Sequence, residues 1–375
     1  MSIVWSIAAL AGILLVLFIA MAVYLAAVLN WQEEQTVGLN YYGLPQEQRT
    51  RFRERLKFHA GLLRPILWFS TRKKIDFRGG RIQHKGVSAP SDSCKLEGFQ
   101  AAEAYIPQPE DVFVVTQMKC GTTWMQHVVF QILHRGEGDL VETGREMYAV
   151  APWIEGRKSV PIKQSKPVGK ERPSRIIKTH LPAQLCPFNT TARYIYVARH
   201  PISCFASCID FVVTNIGRMA PDIATFENWY TSPDLMWWGT WADHVKGWWD
   251  RAQKNPGNVL FVYFEDMKKD LAPIVNRVAS FLGVAPLNEQ ELANVVHKCG
   301  FAYMQEHQDN FEMHPPHILQ TNAELFVSGS ADRHKDVPAS VRARIARWAV
   351  REMQGSTFPL ADRYPDVVKT AESQT

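Results

Sequence analysis

The stretch that decides the fold is Val112-Phe113-Val114-Val115, an apolar strand, followed by the loop Thr116-Gln117-Met118-Lys119-Cys120-Gly121-Thr122-Thr123 and a predicted helix over 124–133 that opens at Trp124. A strand that turns through a glycine into a helix builds an anion cradle. The glycine lets the backbone approach an oxyanion, the N–H groups of the first helical turn point at it, and the helix dipole adds partial positive charge. Lys119 adds a full charge and the two threonine hydroxyls add neutral donors. In a nucleoside-triphosphate P-loop the lysine follows the glycine and a hydroxyl after it holds magnesium. Here Lys119 precedes Gly121. The loop is P-loop-like but lacks that magnesium ligand.

Outward from this loop, strand-like and helix-like segments alternate. Short strands are predicted over 175–178, 194–198 and 259–264, with helices over 202–213 and 273–282. Strands separated by helices predict an α/β fold with a parallel sheet flanked by helices on both faces. Ligands of such sheets bind beyond the carboxyl ends of the strands. Lys178 and His180 fall at the end of the second strand, two residues apart, and so share one side. Histidine is the side chain suited to take a proton from a hydroxyl near neutral pH. Arg199 ends the third strand and Ser207 lies eight residues on, an arginine fork and a hydroxyl matched to a terminal phosphate. Trp237, Trp238, Trp241, Trp248 and Trp249 follow at helical spacing and are read mainly as core.

The first 32 residues carry no charged side chain, and the apolar run over 3–29 exceeds the roughly 20 residues a helix needs to cross a bilayer. It reads as a transmembrane anchor; a signal peptide is the competing reading, although its basic n-region is missing. The bases that follow, among them Arg49, Arg51, Arg53, Arg55, Lys57, Arg64, Arg72, Lys73 and Lys74, place the remaining bulk in the cytoplasm by the positive-inside rule. Residues 45–75 read as a basic amphipathic helix or helix pair with Phe52, Leu56, Leu63 and Leu67 on its apolar stripe. Two readings stand for it, a segment on the inner leaflet and a connector packed on the catalytic domain. Residues 79–94 read as a loop. The expected division is an anchor over 1–32, a juxtamembrane segment and linker over 33–100, a catalytic domain over 101–355 and a tail over 356–375.

The net charge of +5 is too small to argue for nucleic acid and suits an anionic ligand or membrane surface. None of the six cysteines forms a C-x-x-C pair, so a reducing compartment is expected, with neither a zinc site nor a disulfide framework. His314 and His317 lack a third ligand at a defined spacing.

These motifs resemble those of the sulfotransferases that use 3′-phosphoadenosine 5′-phosphosulfate (PAPS), across about residues 105–348. The family's 5′-phosphosulfate loop has the form P-K-S-G-T-T-W. Lys119, Gly121, Thr122, Thr123 and Trp124 match it, while Met118 and Cys120 replace its Pro and Ser. Lys178-Thr179-His180-Leu181-Pro182 matches the segment that carries the catalytic histidine, and Arg199 with Ser207 matches the 3′-phosphate motif. Phe264 stands where a Y-E-D-M segment near the adenine has its tyrosine, and Cys299 belongs to a segment that also borders the adenine. The resemblance weakens at R-K-G-x-x-G-D-W-K, whose basic pair clamps the 3′-phosphate: here Val327 and Ser328 precede Gly329, and Arg333 comes later.

The resemblance therefore implies a membrane-anchored enzyme with PAPS as co-substrate and no metal. It would transfer a sulfuryl group to a hydroxyl or amine of a small-molecule or lipid acceptor. His180 would be the base, Lys119 would neutralise the leaving phosphate and Lys178 would stabilise the sulfuryl oxygens. Lys119, Cys120, Gly121, Thr122, Thr123, Trp124, Arg199, Ser207, Phe264, Cys299, Ser328 and Gly329 would hold the nucleotide. Two other readings remain open at this point, a magnesium-dependent kinase and a membrane-tethered protein that binds the nucleotide without turnover.

Overall fold

The structure is a computed structural model that describes residues 2–140, 143, 145–312, 315–319 and 333–373. Its first element, α1 (Ser2–Gln35), is longer than the apolar run that predicts it. Every residue from 3 to 20 is exposed, and burial begins at Met21. Beyond it, α2 (Gln46–Leu62) and α3 (Arg64–Ser70) follow each other through a bend at Leu63. The predicted stripe of this segment faces inward: Phe52, Leu56 and Leu63 are buried in the same core cluster as Val28 of α1, Leu67 packs against it half-buried, and Ile66, not predicted, joins it.

Residues 79–94 are not a plain loop. They hold an antiparallel hairpin of β1 (Arg81–His84) and β2 (Val87–Pro90). Lys85 and Gly86 make its two-residue turn with φ of 49° and 80°, the positive pair that lets a tight turn follow the twist of its strands. All of β2 is buried.

The main sheet, among the described residues, has four parallel strands, β3 (Asp111–Val115), β4 (Arg175–Thr179), β5 (Arg193–Ala198) and β6 (Val259–Tyr263), in the order β4-β3-β5-β6. Parallel strands are buried on both faces, which is why they read as continuous apolar runs. Phe113 and Val115 enter the core on one face with Tyr194, Tyr196 and Ala198; Val112 and Val114 enter the other with Ile195 and Val197. At the N-terminal edge Arg175 ties β4 to β3 through Asp111, 3.0 Å away.

Helix α4 (Thr122–Leu133) opens two residues earlier than predicted, because Gly121 in a left-handed conformation is its N-cap. Helix α5 (Pro201–Ile216) follows β5 directly, with proline in its first turn where the missing N–H costs nothing. Helix α6 (Trp241–Lys254) carries the tryptophan stripe, and Trp241 and Trp248 are fully buried. Their indole N–H groups donate to the carbonyls of Arg199 (2.9 Å) and Leu181 (3.2 Å). The stripe thus fixes the chain just past β4 and β5. Trp237 and Trp238 precede the helix and serve a different purpose, described below. Helices α7 (Leu271–Leu282), α8 (Glu289–Lys298) and α9 (Ala339–Glu352) complete the layers.

Candidate active site

The ends of β3, β4 and β5 open into one cleft of about 730 Å³. It brings together Lys119, Gly121, Thr122, Thr123, Trp124, Lys178, His180, Arg199, Ser207, Phe264 and Cys299. The common register of the parallel strands explains this convergence: Val115 pairs with Thr179 and Tyr196, so the chain segments that follow all three strands emerge at one edge.

In the loop after β3, Lys119 has φ 63° and Gly121 φ 97°. A β-carbon on Gly121 would lie 2.8 Å from Cδ2 of Phe264, so glycine here answers both a backbone and a packing demand. Thr116 and Thr122 bond to each other through their hydroxyls at 2.6 Å. Arg199 donates to the Lys119 carbonyl (2.8 Å) and its guanidinium lies 4.4 Å from the centre of the Phe264 ring. Burial lowers the pKa of Lys119, with the Arg199 charge adding to that effect.

At the end of β4, His180 is almost fully buried against the rings of Trp153 (5.4 Å) and Trp238 (4.9 Å), which also touch each other (5.5 Å). Its Nδ1 lies 2.9 Å from the Thr116 carbonyl oxygen, which can only accept; Nδ1 therefore carries the proton and Nε2 holds the lone pair. Burial, then the nearby Lys178 charge, push the His180 pKa well below its usual value, which keeps the ring neutral and able to accept a proton. Behind it, His244 donates from Nε2 to the His180 carbonyl (2.9 Å) and accepts at Nδ1 from the Tyr196 hydroxyl (3.0 Å).

Lys178 is fully buried, and its Nζ sits 3.8 Å from the centre of the Trp153 ring with no hydrogen-bond acceptor among the described residues. Burial brings its pKa down to about 7, and the Glu155 carboxylate opposes that fall. A buried ammonium without an acceptor is expensive. At this position it is aimed at a cleft that an anionic group would fill.

Several residues that line the cleft or lie behind it have no counterpart in the motifs. Glu155 is fully buried and accepts from the His180 backbone N–H (2.7 Å) and the Thr179 hydroxyl (2.9 Å), which holds the end of β4 in place. Nothing in the spacing of residues 153–155 marks them in advance. Trp238 packs on His180, and Trp237, Phe211, Ile216 and Met219 add further aromatic and apolar lining to the same cleft. Leu29, Asn30, Gln32 and Glu33 of α1 also line the cleft. Glu33 is paired with Arg157 and with Lys158 (3.3 Å), and Gln32 accepts from the Ile318 backbone N–H (2.9 Å).

Three of the sequence expectations fall elsewhere. The Cys120 side chain is buried toward Cys204 (3.7 Å) and does not line the cleft, so only its backbone remains to face a ligand. Ser328 and Gly329 lie outside the described residues. Arg333 does reach the cleft, which Ser207 and Asp210 also line, and is ion-paired with Asp210. Cys299 lines the cleft, and its carbonyl accepts from the Trp124 indole N–H (2.8 Å). Trp124 meets Phe264 edge-on at 5.5 Å, with Lys268 and Phe301 nearby, a surface suited to a flat heterocycle. All six cysteines are buried free thiols. Among the described residues no group of histidine, cysteine or carboxylate side chains is placed to hold a metal ion.

Comparison with known proteins places the chain in a family. Residues 109–357 match the model of the sulfotransferase domain. Sulfotransferase 2B1 of Mus musculus is 29% identical over 290 residues, covering 73% of this chain and 82% of that protein. Sulfotransferase 1C2 of Homo sapiens is 31% identical over 217 residues, covering 56% of this chain and 71% of that protein. Among solved structures, a retinol dehydratase in complex with androsterone and inactive cofactor PAP aligns with a TM-score of 0.61 at 21% identity, over 78% of this chain and 93% of that one. Mouse sulfotransferase SULT7A1, complexed with PAP, aligns at 0.56 and 20% identity, over 78% and 99%. At such identities the structural matches establish the fold. Because the matched segment runs from just before β3 to just past α9 and so contains the whole parallel sheet, the chain belongs to the sulfotransferase family and is an enzyme of sulfuryl transfer.

Proposed function

We propose that the sulfuryl donor is PAPS and that the acceptor is an apolar, membrane-associated molecule bearing a hydroxyl or amine. The observation that carries the donor assignment is the convergence of the Gly121 loop, Lys119, Lys178, Arg199 and Ser207 on one cleft. The residues fit the donor chemically. Helix α4 presents its first-turn N–H groups and Lys119 to a 5′-phosphate, the unpaired Lys178 ammonium meets a sulfuryl group, and Arg199 with Ser207 meets a 3′-phosphate. Trp124 and Phe264 offer a surface for the base.

In this scheme the acceptor oxygen attacks sulfur in line as His180 Nε2 takes its proton. The bond from sulfur to the bridging phosphate oxygen breaks, and adenosine 3′,5′-bisphosphate leaves with its new charge balanced by Lys119. Trp153 and Trp238 hold the imidazole while Glu155 fixes the backbone beneath it. These groups supply orientation and preorganised charge. Lysines do the neutralising, so the scheme needs no metal.

The acceptor reading rests on the wall of Phe211, Ile216, Met219, Trp237 and Trp238, and on the end of α1 that closes the same cleft. We further propose that α1 spans a membrane once, with the catalytic domain on the cytoplasmic side, as the charge jump after Gln32 indicates. The test of function is transfer from sulfur-labelled PAPS into lipid-extract and small-phenol acceptor pools, with and without EDTA. Label in an extractable alcohol or phenol, unaffected by EDTA, is expected; activity abolished by EDTA and restored by magnesium would overturn the scheme. Protease added outside intact cells should spare the catalytic domain. Its digestion without lysis would reverse the topology.

A further inference from the structure

The bent helix pair of α2 and α3 buries Phe52, Leu56, Leu63 and Ile66, yet a second apolar set remains exposed on either side of the bend. Phe58, Leu62, Trp68 and Phe69 are between 46% and 63% exposed. Large side chains grouped this way on a protein surface mark an interaction site. Their position relative to α1 says what covers them. Trp31 of α1 packs on Phe52 of α2 with ring centres 5.0 Å apart, and Tyr24 packs on His59 at 5.8 Å, its hydroxyl 2.6 Å from Nδ1. Seven residues back along α1 match seven residues forward along α2, so the helices run antiparallel in step. By that register Leu62 reaches the level of Met21. From α3, Phe69 touches Phe18 with ring centres 6.4 Å apart.

Met21 is also where α1 ceases to be exposed along its whole circumference. The exposed stretch over 3–20 is about 27 Å long at 1.5 Å per residue, close to the roughly 30 Å hydrocarbon core of a bilayer. The bend between α2 and α3 therefore sits level with the end of the hydrocarbon, and α3 continues along α1 to Phe18. There an aromatic belt and basic side chains are favoured. Lys57, Arg64, Arg72, Lys73 and Lys74 are all exposed, and no carboxylate occurs from Arg55 to Ile75. The Arg72 guanidinium lies 3.9 Å from the centre of the Phe69 ring, so charge and aromatic surface occupy one patch.

We infer that Phe58, Leu62, Trp68 and Phe69, with the bases around them, form a collar that inserts into the interface of an anionic bilayer and fixes the catalytic domain against it. This rests on the proposal that α1 spans the membrane, and adds a second contact at its base. The collar also borders the acceptor end of the cleft, since Arg218 donates to the Trp68 carbonyl (3.3 Å) and Met219 accepts from the Ile75 N–H (3.0 Å), and Met219 lines that cleft.

The test uses the full chain in vesicles of phosphatidylcholine with or without phosphatidylserine. The native thiols are buried, so single introduced cysteines can carry a fluorophore that quencher-bearing lipids report on. Ile13→Cys probes the span, Phe69→Cys and Leu62→Cys probe the collar, and Lys254→Cys probes the far edge of the sheet. Lipids quenched at the headgroup level should quench both collar sites several-fold more than Lys254→Cys, and more strongly with phosphatidylserine present. Collar sites no more quenched than Lys254→Cys, beside a quenched Ile13→Cys, would overturn the collar and leave the span standing. An Ile13→Cys left unquenched by lipids that carry the quencher deep in the acyl chain would overturn both.

Discussion

Replacing Gly121 by alanine should disable the phosphate loop without altering a single charge. Two costs arise. A non-glycine residue at φ 97° is strained by about 1–3 kcal/mol. The new β-carbon, 2.8 Å from Cδ2 and 3.2 Å from Cε2 of Phe264, overpacks the site by about another 1–3 kcal/mol. The ring cannot yield freely, because Arg199 lies over it at 4.4 Å and Trp124 abuts it at 5.5 Å. A total of about 2–6 kcal/mol is then divided between lost stability, if the loop keeps its shape, and lost ligand binding, if it relaxes. Denaturant unfolding and calorimetric titration with adenosine 3′,5′-bisphosphate, on the full chain in micelles, measure the two parts. In a Phe264→Ala background the same change should cost only the backbone part. The reasoning is refuted if Gly121→Ala changes stability and binding together by less than about 0.5 kcal/mol, the scale of an inert surface substitution, or if the Phe264→Ala background removes the whole cost.

Further outcomes follow from the charged groups. Lys178 acts as a cation and titrates near 7, so kcat/KM should fall as pH rises through that value, while the acid limb lies well below pH 6.5 because His180 stays neutral until then. Lys178→Arg should abolish the alkaline limb, since a guanidinium keeps its proton; a limb that persists would assign it to another group. Glu155→Gln removes the carboxylate that holds the Lys178 pKa up, so it should move that limb to lower pH in the same profiles. Arg199→Ala should lower the binding preference for adenosine 3′,5′-bisphosphate over adenosine 5′-phosphate by about 1.5–3 kcal/mol, and Arg333→Ala by less, because Arg333 is already paired with Asp210. Loss of the preference in Arg333→Ala alone would show that Arg333 has taken over the clamp.

Much of the site is legible in sequence because its parts are local. The strand, glycine turn and helix around Gly121 are contiguous between Asp111 and Leu133, and Lys178 with His180 or Arg199 with Ser207 sit on single strand-to-turn or strand-to-helix units. What escapes is contributed across long separations. Glu155 reaches His180 from a segment without periodicity, and Trp238 reaches it through a turn with φ 60°. The end of α1 becomes a wall of the cleft through distant partners, Arg157 and Lys158 on Glu33 and the Ile318 N–H on Gln32. Side-chain direction is a second blind spot. Cys120 occupies a ligand-like position in the loop but points into the core, and the apolar stripe of α2 packs on protein while Phe58 and Leu62 remain outside it. The hairpin over 79–94 was masked by its Lys85-Gly86 turn, which lacks the asparagine or aspartate that usually announces such a turn.

The most direct test of the mechanism is His180→Ala, measured for single-turnover sulfuryl transfer and for adenosine 3′,5′-bisphosphate affinity on the same preparation. Nε2 of His180 is the atom proposed to take the acceptor proton, and general-base catalysis contributes about 10²- to 10⁴-fold. Transfer should fall by at least about a hundredfold while nucleotide affinity is nearly unchanged. Affinity lost, with transfer per bound enzyme intact, would contradict the account and make His180 a structural residue.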